Sequence, residues 1–598
     1  MQIVGIPMKL SFSCPSLRLP LLVVLLGFGL GGLEVMAAGG RVRLVVEPTF
    51  AGAPLSLDLP LERKGLPGVS VSRLDLLLSG LALKKENGTW LESAEWFALI
   101  SAGKGLLRAD ADGVTAENFT AIRFNVGLPS DVDHGNPNRW EVGHALHPAQ
   151  NGLHWGWLGG YVFTALEGHC GEAGYSYHLA GATCLRQVEL PVEFQGGGPV
   201  TIRVGLDVSR WIGDLDLAKV GLSTHSREGD ALAAQLADRT VSAFSVRGVA
   251  ADVFHELAPA LAEAVPAGTT PFALQVTERF PKPILPKDNP LTAEGVALGQ
   301  RLFEDVRLSR VQTQSCANCH LAERGFADDK TVAIGAEGQV GRRNAMALVN
   351  LAWRGSFFWD GRAPTLREQV LMPVQDAHEM NAPLDLVVTR LQGDQTYRAQ
   401  FKEAFGGGDI RPNMIAKALE QYLLTLLAQD SKFDRALRKL TKLSPSEARG
   451  LQLFVTEHDP VRGLRGADCF HCHGGMLFTD DGFHNNGLAT KAGDTGRMGV
   501  TGNAADHGKF KTPSLRNIAL TAPYMHDGRF ATLEEVVDHY SSGVVRSETL
   551  DPNLAKHPAV GLQLTATEKA DLVAFLKTLT DEPLKPTREL TLAQPSLK

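Results

Sequence analysis

The sequence predicts a multidomain protein in which a β-rich, β-sandwich-like domain is followed by two all-α domains. Residues 200–208 alternate between apolar and polar side chains, as a strand with one buried face does. Residues 259–290 contain seven prolines, which indicates a domain boundary or a wrapping arm. Capping boxes at residues 444–447 and 565–568 then mark the starts of helices in the second half of the chain.

Length, composition and charge agree with a soluble globular protein of several domains. A chain of 598 residues is too long for one hydrophobic core. Hydrophobic residues make up 44% and charged residues 21%, which is ordinary for globular domains. The net charge is −7 and no long basic run occurs, so nucleic acid is excluded as a partner.

The N-terminal segment is typical of an exported protein. Lys9 and Arg18 precede an apolar stretch at residues 19–33, and small residues follow at 35–37. This pattern predicts a signal peptide over residues 1–38 and a periplasmic location. The alternative is an N-terminal membrane anchor, although the apolar run is short for a spanning helix. No later segment is long and apolar enough to be a stable membrane span.

The remaining boundaries follow from turns, prolines and a short internal repeat. Residues 39–250 form the predicted β domain, and residues 251–286 form the linker or arm. Gly-x-x-Leu-Phe occurs at residues 299–303 and again at residues 450–454. Two similar helical domains, at 287–440 and 441–585, are therefore predicted, with a tail at 586–598.

Each helical domain carries one Cys-x-x-Cys-His motif. The two thiols of such a motif form thioethers with haem vinyl groups, and the histidine becomes an axial iron ligand. The alternative, a zinc or thiol-redox site, is disfavoured because the motif occurs twice, each time after a similar helix. We predict two covalently bound haem c groups in cytochrome-c-like domains. The attachment and ligand residues are Cys316, Cys319 and His320, and Cys469, Cys472 and His473.

Two cysteines are left over after the haem motifs and the leader are assigned. Cys14 lies in the predicted signal peptide, and four cysteines belong to the haem motifs. Cys170 and Cys184 remain, and an even remainder in an oxidising compartment predicts a disulfide between them. Two free thiols are the alternative.

The C-terminal half resembles a known enzyme family. The stretches Asp-Asn-Pro-Leu-Thr at 288–292, Phe-Trp-Asp-Gly-Arg-Ala at 358–363, Thr-Pro-Ser-Leu-Arg-Asn at 512–517 and Ala-Pro-Tyr-Met-His-Asp-Gly at 522–528 occur in this order. Residues 271–585 thus resemble the bacterial di-haem cytochrome c peroxidases and the related MauG enzymes. The resemblance implies an oxidoreductase that acts on hydrogen peroxide, with a soluble cytochrome or cupredoxin as a possible electron donor.

The resemblance also assigns roles to individual residues. Trp359 corresponds to the tryptophan between the two haems, which relays electron holes. Glu379 corresponds to the distal acid–base residue, which moves a proton between the peroxide oxygens. Gln369 and Pro373 fall at other positions of the distal pocket. Asn344, Thr521 and Pro523 match the inter-haem calcium site, where amide and backbone oxygens suit a hard cation.

Two departures from the classical peroxidases point towards the MauG branch. Many classical members have a histidine before the Phe-Trp-Asp-Gly-Arg-Ala motif that blocks the first haem, whereas residues 334–339 contain none. The first haem is therefore expected to be open without reductive activation. Tyr540 falls where classical members place an axial methionine and MauG-type enzymes place tyrosine. Met525 and His539 are rival ligands of the second haem.

The N-terminal half is rich in histidine. Four histidines, at 134, 144, 147 and 154, occur within about twenty residues, and others follow at 169, 178 and 225. Clustered imidazoles in an exported domain suggest copper or zinc. The alternative is a set of surface or hydrogen-bonded histidines.

A second resemblance favours copper. The stretches at 151–163, Asn-Gly-Leu-His-Trp-Gly-Trp-x-x-Gly-Tyr-x-Phe, and at 178–184, His-Leu-Ala-Gly-x-x-Cys, are similar to the MbnP and CorA copper-protein family. In that family a tryptophan is oxidised to kynurenine, and copper binding depends on it. Approximate family position favours Trp96, then Trp90 and Trp155. The preferred copper ligands are His147 and His178, followed by His154, His225 and His134, although the usual first-strand histidine is missing.

Together these features predict a fused enzyme and substrate. Hydrogen peroxide would oxidise the open haem, a tryptophan of the N-terminal domain would become kynurenine, and that domain would then bind a copper ion. The first alternative is a cytochrome c peroxidase that takes electrons from a soluble donor. The second is a non-enzymatic copper carrier or electron-transfer protein with both haems closed.

Overall fold

The computed structural model describes residues 41–112, 118–155, 160–251, 265–459, 463–488, 493–557 and 561–581. The predicted signal peptide, the predicted tail and residues 252–264 of the predicted linker lie outside these ranges. Among the described residues, the structure contains no helix with the length and apolar character needed to cross a bilayer.

The first half of the chain folds into two sheets. Its strands are β1 Arg41–Phe50, β2 Ala53–Pro54, β3 Leu61–Arg63, β4 Leu66–Lys85, β5 Trp90–Ser101, β6 Arg108–Asp112, β7 Phe119–Val126, β8 Val162–Cys170, β9 Ala173–Ala180, β10 Arg186–Phe194, β11 Val200–Asp207, β12 Ser223–Thr224 and β13 Phe244–Ala251. Its helices are α1 Ser130–Asp133, α2 Pro148–Asn151, α3 Ser209–Ile212, α4 Leu217–Val220 and α5 Ala231–Ala243.

The two sheets enclose a single hydrophobic core. The smaller sheet has the order β13-β11-β1-β2, with β6 also paired to β1. The larger sheet has the order β10-β7-β4-β8-β9-β12, with β3 and β5 also paired to β4. The long strand β4 is the centre of the larger sheet, and buried side chains from both sheets form one cluster. The predicted β-sandwich-like domain is confirmed.

The predicted strand at residues 200–208 is present as β11, but it is more buried than its alternation indicates. Its apolar residues lie in the core, and Thr201 and Gly205 on the opposite face are buried as well. β11 lies between β1 and β13, and the Arg247 guanidinium covers Gly205. Neighbouring side chains therefore cover a face that the pattern assigns to solvent.

The predicted disulfide between Cys170 and Cys184 is wrong, because both thiols are free. Cys170 pairs with Ala173 at the turn of the β8–β9 hairpin, whereas Cys184 follows the opposite end of β9. Strand β9 spans eight residues at about 3.4 Å per residue. A disulfide requires Cα atoms within about 7 Å, so the hairpin length prevents the bond.

The second half of the chain is helical. The helices of the first haem domain are α6 Ala293–Phe303, α7 Leu366–Gln369, α8 Met372–Gln375, α9 Leu384–Gly393, α10 Gln395–Phe405, α11 Pro412–Leu424 and α12 Lys432–Leu437. Those of the second are α13 Pro445–Phe454, α14 Met498–Thr501, α15 Leu533–Asp538, α16 Pro552–Ala555 and α17 Ala566–Lys577, with a short hairpin of β14 Phe483–His484 and β15 Phe510–Lys511. The proline-rich arm packs on the first haem domain through Phe280.

The Gly-x-x-Leu-Phe repeat has the same structural cause in both haem domains. Helix α6 crosses α11 at Gly299, where a Cβ atom would lie 2.0 Å from the carbonyl oxygen of Ala418. Helix α13 crosses α17 at Gly450, where a Cβ atom would lie 1.9 Å from the carbonyl oxygen of Asp571. Only glycine permits such close helix crossings. The predicted capping boxes at the starts of α13 and α17 are also confirmed.

A buried ion pair connects the end of the first haem domain to the second. Arg516 is 1% exposed and donates two hydrogen bonds to the carboxylate of Asp434 on α12. The guanidinium also donates to the carbonyl oxygen of Met476. Such pairs leave a costly unpaired charge when one partner is removed.

We expect Asp434→Asn to lower the free energy of unfolding by about 3–5 kcal/mol, because the buried guanidinium loses its counter-charge. Urea unfolding of the holoprotein, followed by far-UV circular dichroism, would detect this as a lower midpoint. Glu534→Gln is the matched control, since its pair with Lys577 is exposed and contributes less than about 1 kcal/mol. Equal midpoints for the two variants would contradict the expectation.

The β domain packs directly against the second haem domain. The β8–β9 hairpin contacts α16, and a Cβ atom on Gly174 would lie 2.0 Å from the carbonyl oxygen of Pro552. Across the same junction His169 Nε2 lies 2.9 Å from the carbonyl oxygen of Leu550, and Ser223 donates to Glu457. The β domain is thus fixed against the helices that surround the second Cys-x-x-Cys-His motif.

Candidate haem sites and interdomain cavity

The first Cys-x-x-Cys-His motif lies at the wall of a large cavity. Cys316 begins a 3-10 turn, and Cys316, Cys319 and His320 line a space of about 770 Å³. His320 Nδ1 lies 2.9 Å from the carbonyl oxygen of Phe326. This contact holds the Nδ1 proton and leaves the Nε2 lone pair for an axial bond. The thiols, the oriented imidazole and the cavity volume fit a covalently bound haem.

Glu379 lines the same cavity, together with Gln369 and Pro373. Burial raises the pKa of Glu379 to about 7, the Asp376 carboxylate adds to the rise, and Arg362 opposes it. A carboxyl group with a pKa near neutrality both accepts and releases protons at physiological pH. All three predicted pocket residues therefore lie in one cavity with the haem-binding motif.

The loop at residues 334–339, which lacks the blocking histidine, is attached to the loop that carries Glu379. The backbone N–H of Ala336 donates to the carbonyl oxygen of Glu379 at 2.7 Å. Gly335 approaches the same backbone so closely that a Cβ atom would lie 2.4 Å from the carbonyl oxygen of His378. These contacts fix the loop beside the cavity and explain why glycine is required at position 335.

Trp359 lies at the seam between the two haem domains. Its indole N–H donates to the carbonyl oxygen of Asn344, and its own carbonyl oxygen accepts from the backbone of Lys511 on β15. It lines the first haem cavity, and its ring centroid is 6.5 Å from that of His526. His526 in turn stacks on Phe510 at 3.6 Å. The sequence did not indicate this aromatic series, because His526 was noted only as part of a motif.

The predicted calcium residues come from both haem domains. The backbone N–H of Asn344 donates to the carbonyl oxygen of His526, three residues after Pro523. The Asn344 amide donates to the carbonyl oxygen of Lys330, and the Thr521 hydroxyl donates to the carbonyl oxygen of Ile518. Calcium binding here stays a prediction.

The second Cys-x-x-Cys-His motif has the same local geometry. Cys469 begins a 3-10 turn, and His473 Nδ1 lies 3.1 Å from the carbonyl oxygen of Phe478. As in the first motif, the contact leaves the Nε2 lone pair for an axial bond. The two motifs and their oriented imidazoles fit two haem c groups.

Tyr540 lies in a π-helical turn at His539–Gly543, and its side chain is near Cys469 and Cys472 of the second motif. Burial raises the pKa of Tyr540 to about 12. The amide of Asn486 lies 3.4 Å from the Tyr540 hydroxyl and 3.5 Å from the Met525 sulfur. Both side chains therefore remain candidates for the second axial position.

His539, the other rival ligand, contacts the backbone. Its Nε2 lies 3.0 Å from the carbonyl oxygen of Asn486, and the backbone of Gly543 is a second hydrogen-bond partner of the ring. Its pKa is lowered by burial.

A second cavity of about 550 Å³ lies within the junction of the β domain and the second haem domain. From the β domain, His134, His154, Trp155 and His178 line it. From the haem domain, the lining includes Phe470 and His471, the two residues between the haem-binding cysteines. Three of the five histidines that the sequence nominated for copper thus face one space. His471 was not nominated, because it occupies a variable position of the haem motif.

The other two predicted copper ligands, His225 and His147, have different surroundings. His225 lies directly behind the cavity wall, with its Nε2 3.1 Å from His178 Nδ1. His147 is fully buried, and its Nε2 lies 2.9 Å from the carbonyl oxygen of Lys282. Burial lowers the pKa of His178 to about 3 and also lowers the pKa of His225, so both rings are neutral at pH 7.

The three nominated tryptophans have different surroundings. Trp155 packs against the cores of both the β domain and the second haem domain, and its ring centroid is 6.1 Å from that of His225. Trp96 lies in the β core and donates to the carbonyl oxygen of Asp110. Trp90 lies beneath the Arg123 guanidinium. Trp155 is thus the nominated tryptophan that contacts the haem-bearing half.

Comparison with known proteins agrees with both halves of this description. Residues 293–442 match the family model of di-haem cytochrome c peroxidase, and residues 39–226 match the model of the MbnP family. The methylamine utilization protein MauG of Methylophilus methylotrophus is 37% identical over 314 residues, which cover 52% of this chain and 90% of the relative. Cytochrome c551 peroxidase of Nitrosomonas europaea is 34% identical over 312 residues, which cover 51% of this chain and 85% of the relative.

Among solved structures, a MauG-like protein associated with microbial copper homeostasis is 39% identical. The similarity covers 52% of this chain and 96% of that protein, with a TM-score of 0.47. The peroxidase relatives share the haem-binding half, for which hydrogen peroxide is the substrate implied by the family. The chain therefore belongs to the MauG and di-haem cytochrome c peroxidase family of oxidoreductases, and it joins that enzyme to an MbnP domain in one polypeptide.

Proposed function

We propose that this protein is a periplasmic di-haem oxidase that uses hydrogen peroxide to convert Trp155 of its own N-terminal domain into kynurenine, and that this domain binds copper. One observation carries the proposal. Trp155 packs against the core of the second haem domain while it belongs to the MbnP domain. It therefore contacts the oxidising half without any encounter between separate proteins.

Four electrons must leave the tryptophan for this conversion. Two hydrogen peroxide molecules accept two electrons each and become water, and two oxygen atoms are added across the indole C2–C3 bond, which breaks. The product is N-formylkynurenine plus two waters. Hydrolysis of its formyl amide then releases formate and leaves kynurenine. When bound, haem c at the open first site supplies the two-electron reduction of each peroxide.

Residues of the chain provide proton transfer, electron transfer and copper binding. Glu379, with a pKa near 7, takes a proton from one peroxide oxygen and returns it to the other, so that the departing oxygen leaves as water. Trp359 lies at the seam between the haem domains, where an oxidisable indole supports transfer of electrons between them. Kynurenine then offers an aniline nitrogen beside the histidines of the interdomain cavity.

Peptide mass spectrometry before and after treatment with peroxide tests the proposal. We expect the peptide that contains Trp155 to gain two oxygen atoms and then lose the equivalent of carbon monoxide, which is the mass change from tryptophan to kynurenine. The rate constant should not change when the protein is diluted, because enzyme and substrate share one chain. Rapid turnover with reduced cytochrome c and no mass change on any tryptophan would instead identify a cytochrome c peroxidase.

A further inference from the structure

Three buried histidines meet where the β domain contacts the second haem domain. His178 lies on β9, His225 follows β12, and His471 lies between the haem-binding cysteines of the second motif. One ring nitrogen of each lies within 4.8 Å of those of the other two. His178 and His471 also line the interdomain cavity, so an ion has a path to the cluster.

The hydrogen bonds of His178 and His225 leave two lone pairs facing each other. His178 Nε2 lies 2.8 Å from a Glu167 oxygen, and His225 Nδ1 lies 3.0 Å from a Glu457 oxygen. A carboxylate only accepts, so each of these nitrogens carries the proton of its neutral ring. The other two nitrogens, His178 Nδ1 and His225 Nε2, are then both acceptors, yet they lie 3.1 Å apart. A cation that accepts both lone pairs resolves this conflict.

His471 provides a third imidazole with the same arrangement. Its Nε2 lies 3.1 Å from the same Glu457 carboxylate and 3.3 Å from the Lys556 Nζ, and its side chain is 1% exposed. Within the described part of the chain, its Nδ1 is buried without a hydrogen-bond partner. A buried nitrogen with an unused lone pair costs free energy unless something binds it. In all three rings one nitrogen lies beside a carboxylate, which is the usual arrangement of metal-binding histidines.

The charges around the cluster favour a cation. Three buried carboxylates, those of Glu167, Glu457 and Asp468, surround it. Of the two basic side chains paired with them, Lys556 contacts Glu457 and Asp468, and Arg73 is shared between Glu167 and the buried Asp75. The buried carboxylates therefore outnumber the basic side chains, which favours a bound cation.

We infer that His178 and His225 of the MbnP domain and His471 of the second haem motif together bind one copper ion. The haem domain thus contributes a copper ligand, and the copper site is complete only when the two domains are in contact. A set of imidazole ligands suits copper. This inference rests on the proposed copper role of the β domain, but it does not require oxidation of Trp155.

The test is copper binding to the full-length protein with both haems attached, before any exposure to peroxide. Equilibrium dialysis against Cu(I), followed by metal analysis, should give one copper per chain. His471→Ala should weaken this binding by at least about 100-fold, since changes to groups behind a ligand already cost 10–100-fold. The variant keeps both cysteines and the axial histidine of the motif, so the iron content reports directly whether the haems remain attached.

His169→Ala is the matched control. This histidine also crosses the junction, through the carbonyl oxygen of Leu550, but it lies outside the cluster. Copper affinity should therefore be unchanged in this variant. Loss of binding in both variants would mean that a loosened junction, rather than a missing ligand, is the cause, and would overturn the assignment of His471.

A second readout does not depend on affinity. Pulsed electron paramagnetic resonance of the Cu(II)-loaded protein should detect three imidazoles in the parent and two in His471→Ala. Wild-type copper affinity in His471→Ala, or displacement of copper by equimolar Zn²⁺, would also overturn the inference. Because the protein has not met peroxide, copper binding here is measured independently of whether Trp155 is later oxidised.

Discussion

Replacing Glu379 by glutamine is expected to slow the reaction with hydrogen peroxide by about 10²–10⁴-fold, the usual contribution of a positioned acid–base group. Glutamine keeps the size of the side chain but cannot carry a proton between the peroxide oxygens. Stopped-flow absorbance after mixing with peroxide measures the rate constant. In the parent protein this rate constant should rise with pH, with its midpoint near pH 7 and a plateau above it, because only the carboxylate form accepts the proton.

The neighbouring carboxylate provides a control for this effect. Asp376 contributes to the raised pKa of Glu379, so Asp376→Asn should move the midpoint to lower pH while the plateau rate is retained. Glu379→Gln should show no such midpoint. A Glu379→Gln variant that reacts at the parent rate would remove Glu379 from the mechanism.

Replacing Trp155 by phenylalanine is expected to abolish the peroxide-dependent mass change, because the oxidised ring is then missing. Phenylalanine retains an aromatic ring between the two cores that Trp155 contacts. The stopped-flow reaction with peroxide should proceed at the parent rate, since Trp155 does not line the first haem cavity. Peptide mass spectrometry and stopped-flow absorbance on the same sample separate the two results.

Trp96→Phe is the informative comparison, because approximate family position alone favours Trp96 as the oxidised residue. Trp96 packs in the β core, and its indole N–H donates to the carbonyl oxygen of Asp110. Trp96→Phe should therefore keep the mass change on the peptide that contains Trp155. Kynurenine at position 96 in the Trp155→Phe variant would contradict the assignment of Trp155.

Local patterns in the sequence predicted the features whose cause is local. The Cys-x-x-Cys-His motifs, the capping boxes of α13 and α17 and the alternation of β11 each depend on residues close together in the chain. The Gly-x-x-Leu-Phe repeat also indicated two similar domains, and close helix crossings at Gly299 and Gly450 account for it.

Features that depend on contacts between distant parts of the chain could not be predicted from local patterns. The even number of left-over cysteines suggested a disulfide, but it contained no information about the hairpin that separates Cys170 from Cys184. Position along the chain likewise could not rank Trp155 first, since its importance comes from contact with a domain that begins some 280 residues later. His471 was missed because its role depends on two histidines from the other half of the chain.

The hydrogen bond between Ala336 and the backbone of Glu379 has a consequence for control of the enzyme. The loop at residues 334–339, which lies beside the first haem cavity, and Glu379, whose pKa is near 7, share a backbone contact. A displacement of this loop is therefore transmitted to the backbone that carries the Glu379 carboxyl group, so the position of the acid–base group depends on a segment more than forty residues earlier in the chain.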